Sequence, residues 1–429
     1  MQILKKWHIK PVIVIQSRIK KALSKENKVV ASNFLSLFLL KGIDFLIPLL
    51  TLPYLLRVIG NDGYGQIMFA LALINYFIGF AYYGFNLTGT RFVAANKGSK
   101  MRLQYIYTVI NSTRLFLCFV SSILIVGLVF SIPSFREYAI LYLLFTPMIW
   151  GGALLSDWMY QGIERMKYIA ILNTGLRLIF LIAVFAFIHG QEDLWVYPLS
   201  LSVAYIASAI ASHKLLRRLL GLKFRLCRFK HISKRLRIDF PIFINQFVPT
   251  LYNNTSGFIL GLVAPISTVG IYYAIRKIAD IFITLTDLFT RAVFPNIIRN
   301  QGHFRAYSRS MIVVGFLYCL VPILFARVVF LYLNMPLEEN FVILAILMLG
   351  VLGVVFYDVY GVNYLIARGY DRVVMRNTLI ASLVSFLLAY PMIQYMGILG
   401  AALNLTFART LMGGGVFFHY KRRKFLIAH

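Results

Sequence analysis

The sequence predicts an all-α integral membrane protein of twelve transmembrane helices in two six-helix lobes, and three observations carry that prediction. Sixty per cent of the 429 residues are apolar and 14% are charged, against roughly a quarter charged in ordinary soluble domains. Apolar windows of about twenty residues, the length that crosses a hydrocarbon core of about 30 Å, recur twelve times. The Lys and Arg residues, 44 in all, collect almost entirely between alternate windows.

Taken in order, residues 1–30 form a basic tail with eight Lys and Arg; its apolar stretch is short and no small-residue cleavage site follows, so it reads as a cytosolic amphipathic segment suited to anionic lipid rather than as a signal peptide. The first lobe spans 31–216, with helices expected at 31–55, 66–87, 105–130, 138–160, 168–188 and 194–216. A basic linker at 217–237, RRLLGLKFRLCRFKHISKRLR, leads into a second lobe at 238–420. Its helices are expected at 238–262, 269–294, 311–333, 341–366, 373–395 and 398–418, and a basic tail closes the chain at 421–429. On one side of the predicted bundle the connecting segments and tails hold 35 Lys and Arg. On the other side stand only Arg57 and Arg136, and seven lie inside the windows. Positive charge marks the cytosolic side, so both termini are expected there.

The halves resemble each other. QGIERM begins at Gln161 and RGYDRV at Arg368; HKLLRR begins at His213 and HYKRR at His419, so the offsets are 207 and 206. Two agreeing offsets point to duplication. Six helices per repeat is an even number, so the repeats point the same way about an axis along the membrane normal, and a site is expected between them.

Several chemistries are excluded. There is no GxxxxGK[ST] loop for nucleotide phosphates, no HExxH among seven histidines, and no CxxC among Cys118, Cys227 and Cys319. Neither a metal site nor a cofactor is expected, and the +29 formal charge reflects membrane topology rather than nucleic-acid binding. Energy would come from a gradient or from the substrate, with H+ or Na+ as candidate coupling ions.

Within the windows lie seven cations, Lys41, Arg114, Arg177, Arg276, Lys277, Arg327 and Arg409, and five acids, Asp44, Asp157, Asp280, Asp287 and Asp358. Each costs about 2.5–3.5 kcal/mol at a helix centre, so inward-facing positions are expected. Two readings compete. Lys41 with Asp44 and Arg276 with Asp280 are spaced to neutralise each other on one helix face, and Arg327 and Asp157 sit near helix ends where they can snorkel. Arg114, Arg177 and Arg409 have no partner within a turn. With Arg276 and Lys41 they are the candidates to bind an anion, since the guanidinium fork fits phosphate oxygens. Asp44, Asp280 and Asp358 are the candidate coupling-ion residues. The run NQFVPTLYNNTSG, with Asn245, Gln246, Asn253 and Asn254, suits sugar hydroxyls or helix–helix hydrogen bonds equally. Pro48 and Pro53 are expected to interrupt the first helix, and Pro241 and Pro249 the seventh, giving bendable segments at matching places.

Two stretches, NFLSLFLLKGIDFLIPLLTLPYLLRVIGNDGYG from Asn33 and YGFNLTGTRFVA from Tyr83, together with QGIERM, resemble the Wzx-type flippases of lipid-linked O-antigen units. These form the polysaccharide transporter family of the MOP exporter superfamily. That resemblance implies a V-shaped pair of lobes around a cationic cavity in the bacterial inner membrane, with a substrate of undecaprenyl diphosphate carrying a short glycan. It also implies membrane lipids and other glycan-assembly proteins as partners. By the same resemblance Pro48, Pro53, Arg57, Gly60 and Gly65 belong to a motif at the end of helix one, and Arg91 to one at the end of helix two. The expected activity is non-enzymatic flipping by alternating access. A multidrug or small-metabolite antiporter of the same superfamily, a polysaccharide polymerase or ligase, and a scaffold for glycan-assembly enzymes are the alternatives.

Overall fold

The computed structural model describes residues 42, 46–299, 302 and 304–428. The basic tail at 1–30, Lys41 and Asp44 lie outside the described residues. All regular structure among the described residues is helical. The first half comprises α1 (Leu46–Val58), α2 (Gly60–Tyr82), α3 (Phe85–Ala95), α4 (Lys100–Ser131), α5 (Pro133–Arg136), α6 (Ala139–Leu154), α7 (Asp157–Gly162), α8 (Met166–Phe187) and α9 (Val196–Leu220). The second comprises α10 (Phe229–Val263), α11 (Ile266–Arg299), α12 (Phe304–Leu324), α13 (Ala326–Leu333), α14 (Leu337–Phe356) with a π-helical continuation (Tyr357–Leu365), and α15 (Asp371–Ala428).

Eight helical segments among the described residues are long and apolar enough to cross a membrane. One of them, Asp371–Arg422, contains the last two predicted windows and reverses direction at Gly397, whose φ of 55° and ψ of −129° are open to glycine alone. The more polar α10 and α11 are 35 and 34 residues long, and α1 covers the end of the first window. Among the described residues each predicted window is helical, although 66–87, 138–160 and 311–333 are each divided between two helices. Local chemistry sets the ends: Ser99 accepts a hydrogen bond from the Arg102 amide to start α4, Pro133 opens α5, and Gly221, at φ 64°, closes α9.

The prolines do not break their helices, contrary to the sequence expectation. Helix α1 runs unbroken through Pro48 and Pro53, and α10 through Pro241 and Pro249. A proline removes the N–H that would reach the carbonyl four residues earlier and crowds that carbonyl with its ring, so the carbonyl needs another donor. For Pro53 that carbonyl is Leu49, and the Tyr332 hydroxyl of α13 donates to it at 2.5 Å. Replacing Tyr332 by Phe leaves this carbonyl bare in an apolar setting at a cost of about 1–3 kcal/mol. The variant should unfold at a lower temperature in detergent, and an unchanged midpoint would remove this role.

Breaks occur elsewhere. Tyr83 (φ 47°) and Gly84 (φ 73°) separate α2 from α3, and extended backbone at Leu155 separates α6 from α7. The repeat offset of 207 carries Leu155 onto Val362, inside the π-helical stretch, so both halves depart from α-geometry at equivalent depth. The two motif glycines that follow α1 are placed differently. Only Gly60, at φ 68°, turns the chain; Gly65 lies inside α2.

Gly65 marks where the halves touch. A Cβ there would lie 2.0 Å from the Ile266 carbonyl oxygen and 3.0 Å from the Gly270 nitrogen, and one on Gly270 would lie 2.0 Å from the Asn61 carbonyl oxygen. The two glycines are 205 positions apart, close to the repeat offset, so equivalent helices α2 and α11 meet backbone to backbone. Phe69 of α2 continues the seam by stacking on Phe258 of α10 at 5.8 Å between centroids. At the other end of α2, Tyr83 stacks on Phe243 at 4.4 Å and donates to the Leu236 carbonyl.

Candidate functional site

Between these two contacts, α2 passes two cavities in succession. The first, about 420 Å³, is lined by Asn75, Tyr82 and Asn86 from one half and by Gln246, Pro249, Thr250, Asn253 and Asn254 from the other. Among the described residues no charged side chain lines it. The second, about 220 Å³, is enclosed by α1 through Pro48 and Thr51, by Tyr64 of α2, and by Tyr273, Arg276, Lys277 and Asp280 of α11. Asn75 and Asn254 line both, and the amide of Asn75 donates to Asn254 Oδ1 at 3.3 Å. Beside them Tyr76 and Thr255 share a hydrogen bond of 2.8 Å.

The second cavity holds the charge. Asp280 is gripped from both sides: Arg409 Nη2 lies 2.7 Å from Oδ1 and Arg276 Nε 3.4 Å from Oδ2. Arg276 also donates to the Asn253 carbonyl at 2.6 Å. The predicted i,i+4 pair is therefore present, and Arg409, which has no partner within its own turn, finds one across the helix interface. Lys277 stands on the cavity wall and forms no ion pair among the described residues. Three cations surround one carboxylate, Arg276 and Lys277 on the cavity wall and Arg409 behind Asp280 rather than on the wall, and the buried Nη1 group of Arg409 has no hydrogen-bond partner. Donors outnumber acceptors, which is the arrangement an anion completes.

Arg114 has a different setting. It is wholly buried on α4, donating to the Ala153 and Leu155 carbonyls at 2.7 and 3.5 Å and to Asn86 Oδ1 at 2.7 Å. The rings of Tyr82, Phe85 and Trp158 surround it at 5.7–6.0 Å. The carbonyls at the end of α6 have no onward helical partner, and the negative end of the helix dipole favours a cation there. Arg114 thus joins the α6–α7 break to the α2–α3 break and lines neither cavity. Nor does Arg177, half-buried on α8. Asp358 is buried in the π-helical stretch with Thr290 hydrogen-bonded to it, away from both cavities. Of the motif residues, Pro48 lines the second cavity, Arg57 and Arg91 are exposed, Gly60 turns the chain beside Gln191 of the same half, and Gly65 shapes the seam.

Sequence reasoning left Lys277, Asn75 and Tyr273 out of the site. Lys277 stood among the seven cations of the windows without being singled out, although i and i+1 on a helix point in different directions, so it need not share the setting of Arg276. Asn75 is a lone amide in an apolar window, and such an isolated polar residue is the signal that could have found it.

The comparisons with known proteins follow this geometry. The family described as polysaccharide biosynthesis protein matches residues 30–301. The "Putative O-antigen transporter" of Escherichia coli (strain K12) is 24% identical over 410 residues, covering 92% of this chain and 97% of that one. The protein of that description from Shigella dysenteriae is 24% identical over 390 residues, covering 89% and 97%. Among solved structures, the lipid II flippase MurJ in an inward closed conformation superposes with a TM-score of 0.67 at 13% identity, over 91% of this chain and 87% of that one. An inward-facing multidrug resistance MATE transporter of the MOP superfamily gives 0.63 at 13% identity, over 90% and 99%. The fold is that of the MOP superfamily, with equivalent halves packed about a central seam, and by its family match the chain belongs to the polysaccharide biosynthesis protein family.

Proposed function

We propose that this protein is a flippase that carries a lipid-linked oligosaccharide across the membrane, a non-enzymatic transporter working by alternating access. The observation that carries the reading is the second cavity: a chamber formed by both halves, with Arg276 and Lys277 on its wall, Arg409 behind its one carboxylate, and an unused guanidinium N–H group on Arg409. A diphosphate linking glycan to lipid supplies the missing negative charge and acceptors. A cationic drug would meet repulsion there, which disfavours the multidrug alternative.

The lipid is read as undecaprenyl diphosphate, the location as the bacterial inner membrane, and the basic side of the chain, with both termini, as cytosolic. The head enters the seam while the prenyl tail stays in lipid. Lys277, Arg276 and Arg409 hold the phosphates, and the contacts at the two ends of α2 open in alternation. Asp280 already answers two guanidiniums, which leaves Asp358, among the described candidates, as the carboxylate for a coupling proton or sodium ion. Membrane lipids and other glycan-assembly proteins are the proposed partners.

The test is made in a strain lacking the gene. Single lipid-linked repeat units should accumulate on the cytosolic side, and the wild-type protein should restore surface polysaccharide. Normal translocation with unpolymerised units on the outer face would instead favour a polymerase.

A further inference from the structure

We propose that the two cavities are separate compartments for one substrate head: the 220 Å³ cationic chamber takes the diphosphate, and the 420 Å³ uncharged chamber takes the neutral sugars attached to it. This assignment rests on the flippase reading and adds to it the order in which the head is held and the sugar chemistry it accepts.

The lining of the larger chamber is amide and hydroxyl. Gln246 is exposed toward it and has no hydrogen-bond partner among the described residues, and the Thr250 hydroxyl is equally unused. Asn86 has a fixed orientation. A guanidinium only donates, so the Asn86 oxygen must face Arg114, 2.7 Å away, and its NH2 group is left to donate into the chamber. Pro249, on the same wall, lacks the N–H that would occupy the Asn245 carbonyl. Donors and acceptors alternate around a space with no fixed charge, which is the complement of a hydroxyl-rich, uncharged ring. Among the described residues a sugar carboxylate would meet no cation on this chamber's wall, since Arg114 is buried behind Asn86 and Arg276 is turned to the Asn253 carbonyl.

The join between chambers gives the substrate its direction. Asn75 and Asn254 close the passage with one amide hydrogen bond, and each can re-form that bond with a sugar hydroxyl or a phosphate oxygen. A head that fills both chambers replaces the bridge between the halves with its own contacts. The sugars then lie toward Tyr82 and the phosphates toward Tyr64.

The experiment uses full-length protein in phosphatidylcholine nanodiscs and two probes: bare polyprenyl diphosphate, and the same lipid carrying one N-acetylhexosamine. Binding is read by native mass spectrometry for wild type, Gln246→Leu and Thr250→Val. The expected result is that wild type prefers the sugar-bearing lipid, and that each variant weakens it by about fivefold, the worth of one hydrogen bond, with affinity for the bare lipid unchanged. Equal binding of both lipids to wild type, or equal weakening of both by the variants, would overturn the saccharide compartment and leave the flippase reading standing. Failure of both lipids to bind wild type would overturn both. Thr250→Val preserves shape, so it reports even where Gln246→Leu disturbs folding.

Discussion

Replacing Gly65 by Ala should abolish transport while leaving the protein folded in the membrane. The added methyl would sit 2.0 Å from the Ile266 carbonyl oxygen, where backbone on both sides leaves no side chain to move aside. The halves must separate by more than an ångström at this end, and overpacking of this kind costs about 1–3 kcal/mol. That cost falls only on the state in which α2 and α11 touch. It therefore lowers the population of that state by about five- to a hundredfold without unfolding either half. The prediction is read with a single cysteine at Asn61 in a protein whose Cys118, Cys227 and Cys319 have been replaced. A membrane-impermeant maleimide should label it faster when Gly65 is Ala, and surface polysaccharide should fall. Wild-type labelling together with wild-type transport would show that this contact is not part of the cycle.

The same contact shows what the sequence could and could not reveal. Helices were legible because membrane crossing imposes length and apolarity on the windows. The repeat was visible in two short matches, yet the glycines that bring the repeats together were not, since Gly65 and Gly270 mean something only once α2 and α11 are in contact. Proline was misleading for a related reason. Its local effect on the helix is real, but whether a helix breaks depends on a distant donor such as Tyr332, which answers the Leu49 carbonyl from 283 positions away. The Arg276–Asp280 pair was legible from spacing, whereas the Arg409–Asp280 contact crosses 129 positions and leaves no periodic trace.

Lys277→Ala and Arg114→Ala should both abolish flipping, for different reasons that can be separated. Both positions are membrane-embedded cations, and sequence alone ranked Arg114 the better anion ligand. In the fold, Arg114 is committed to two helix-end carbonyls and Asn86, so its removal strands buried acceptors at a cost of about 3 kcal/mol or more. The expected phenotype is reduced protein in the membrane and a lower unfolding temperature. Lysine cannot rescue it, because a single ammonium on an unforked stem does not span the same three acceptors. Lys277 has no such obligations and stands on the wall of the cationic chamber. Its removal should leave protein level and unfolding temperature unchanged while binding of polyprenyl diphosphate falls by about ten- to a hundredfold, the worth of one charge-assisted hydrogen bond. Lys277→Arg should restore most of that affinity, since the charge rather than the shape of the group is what the phosphate meets. If Arg114→Ala folded normally and lost only substrate, or if Lys277→Ala bound the lipid as wild type does, the anion site would have to be moved from α11 to the α4 side of the seam.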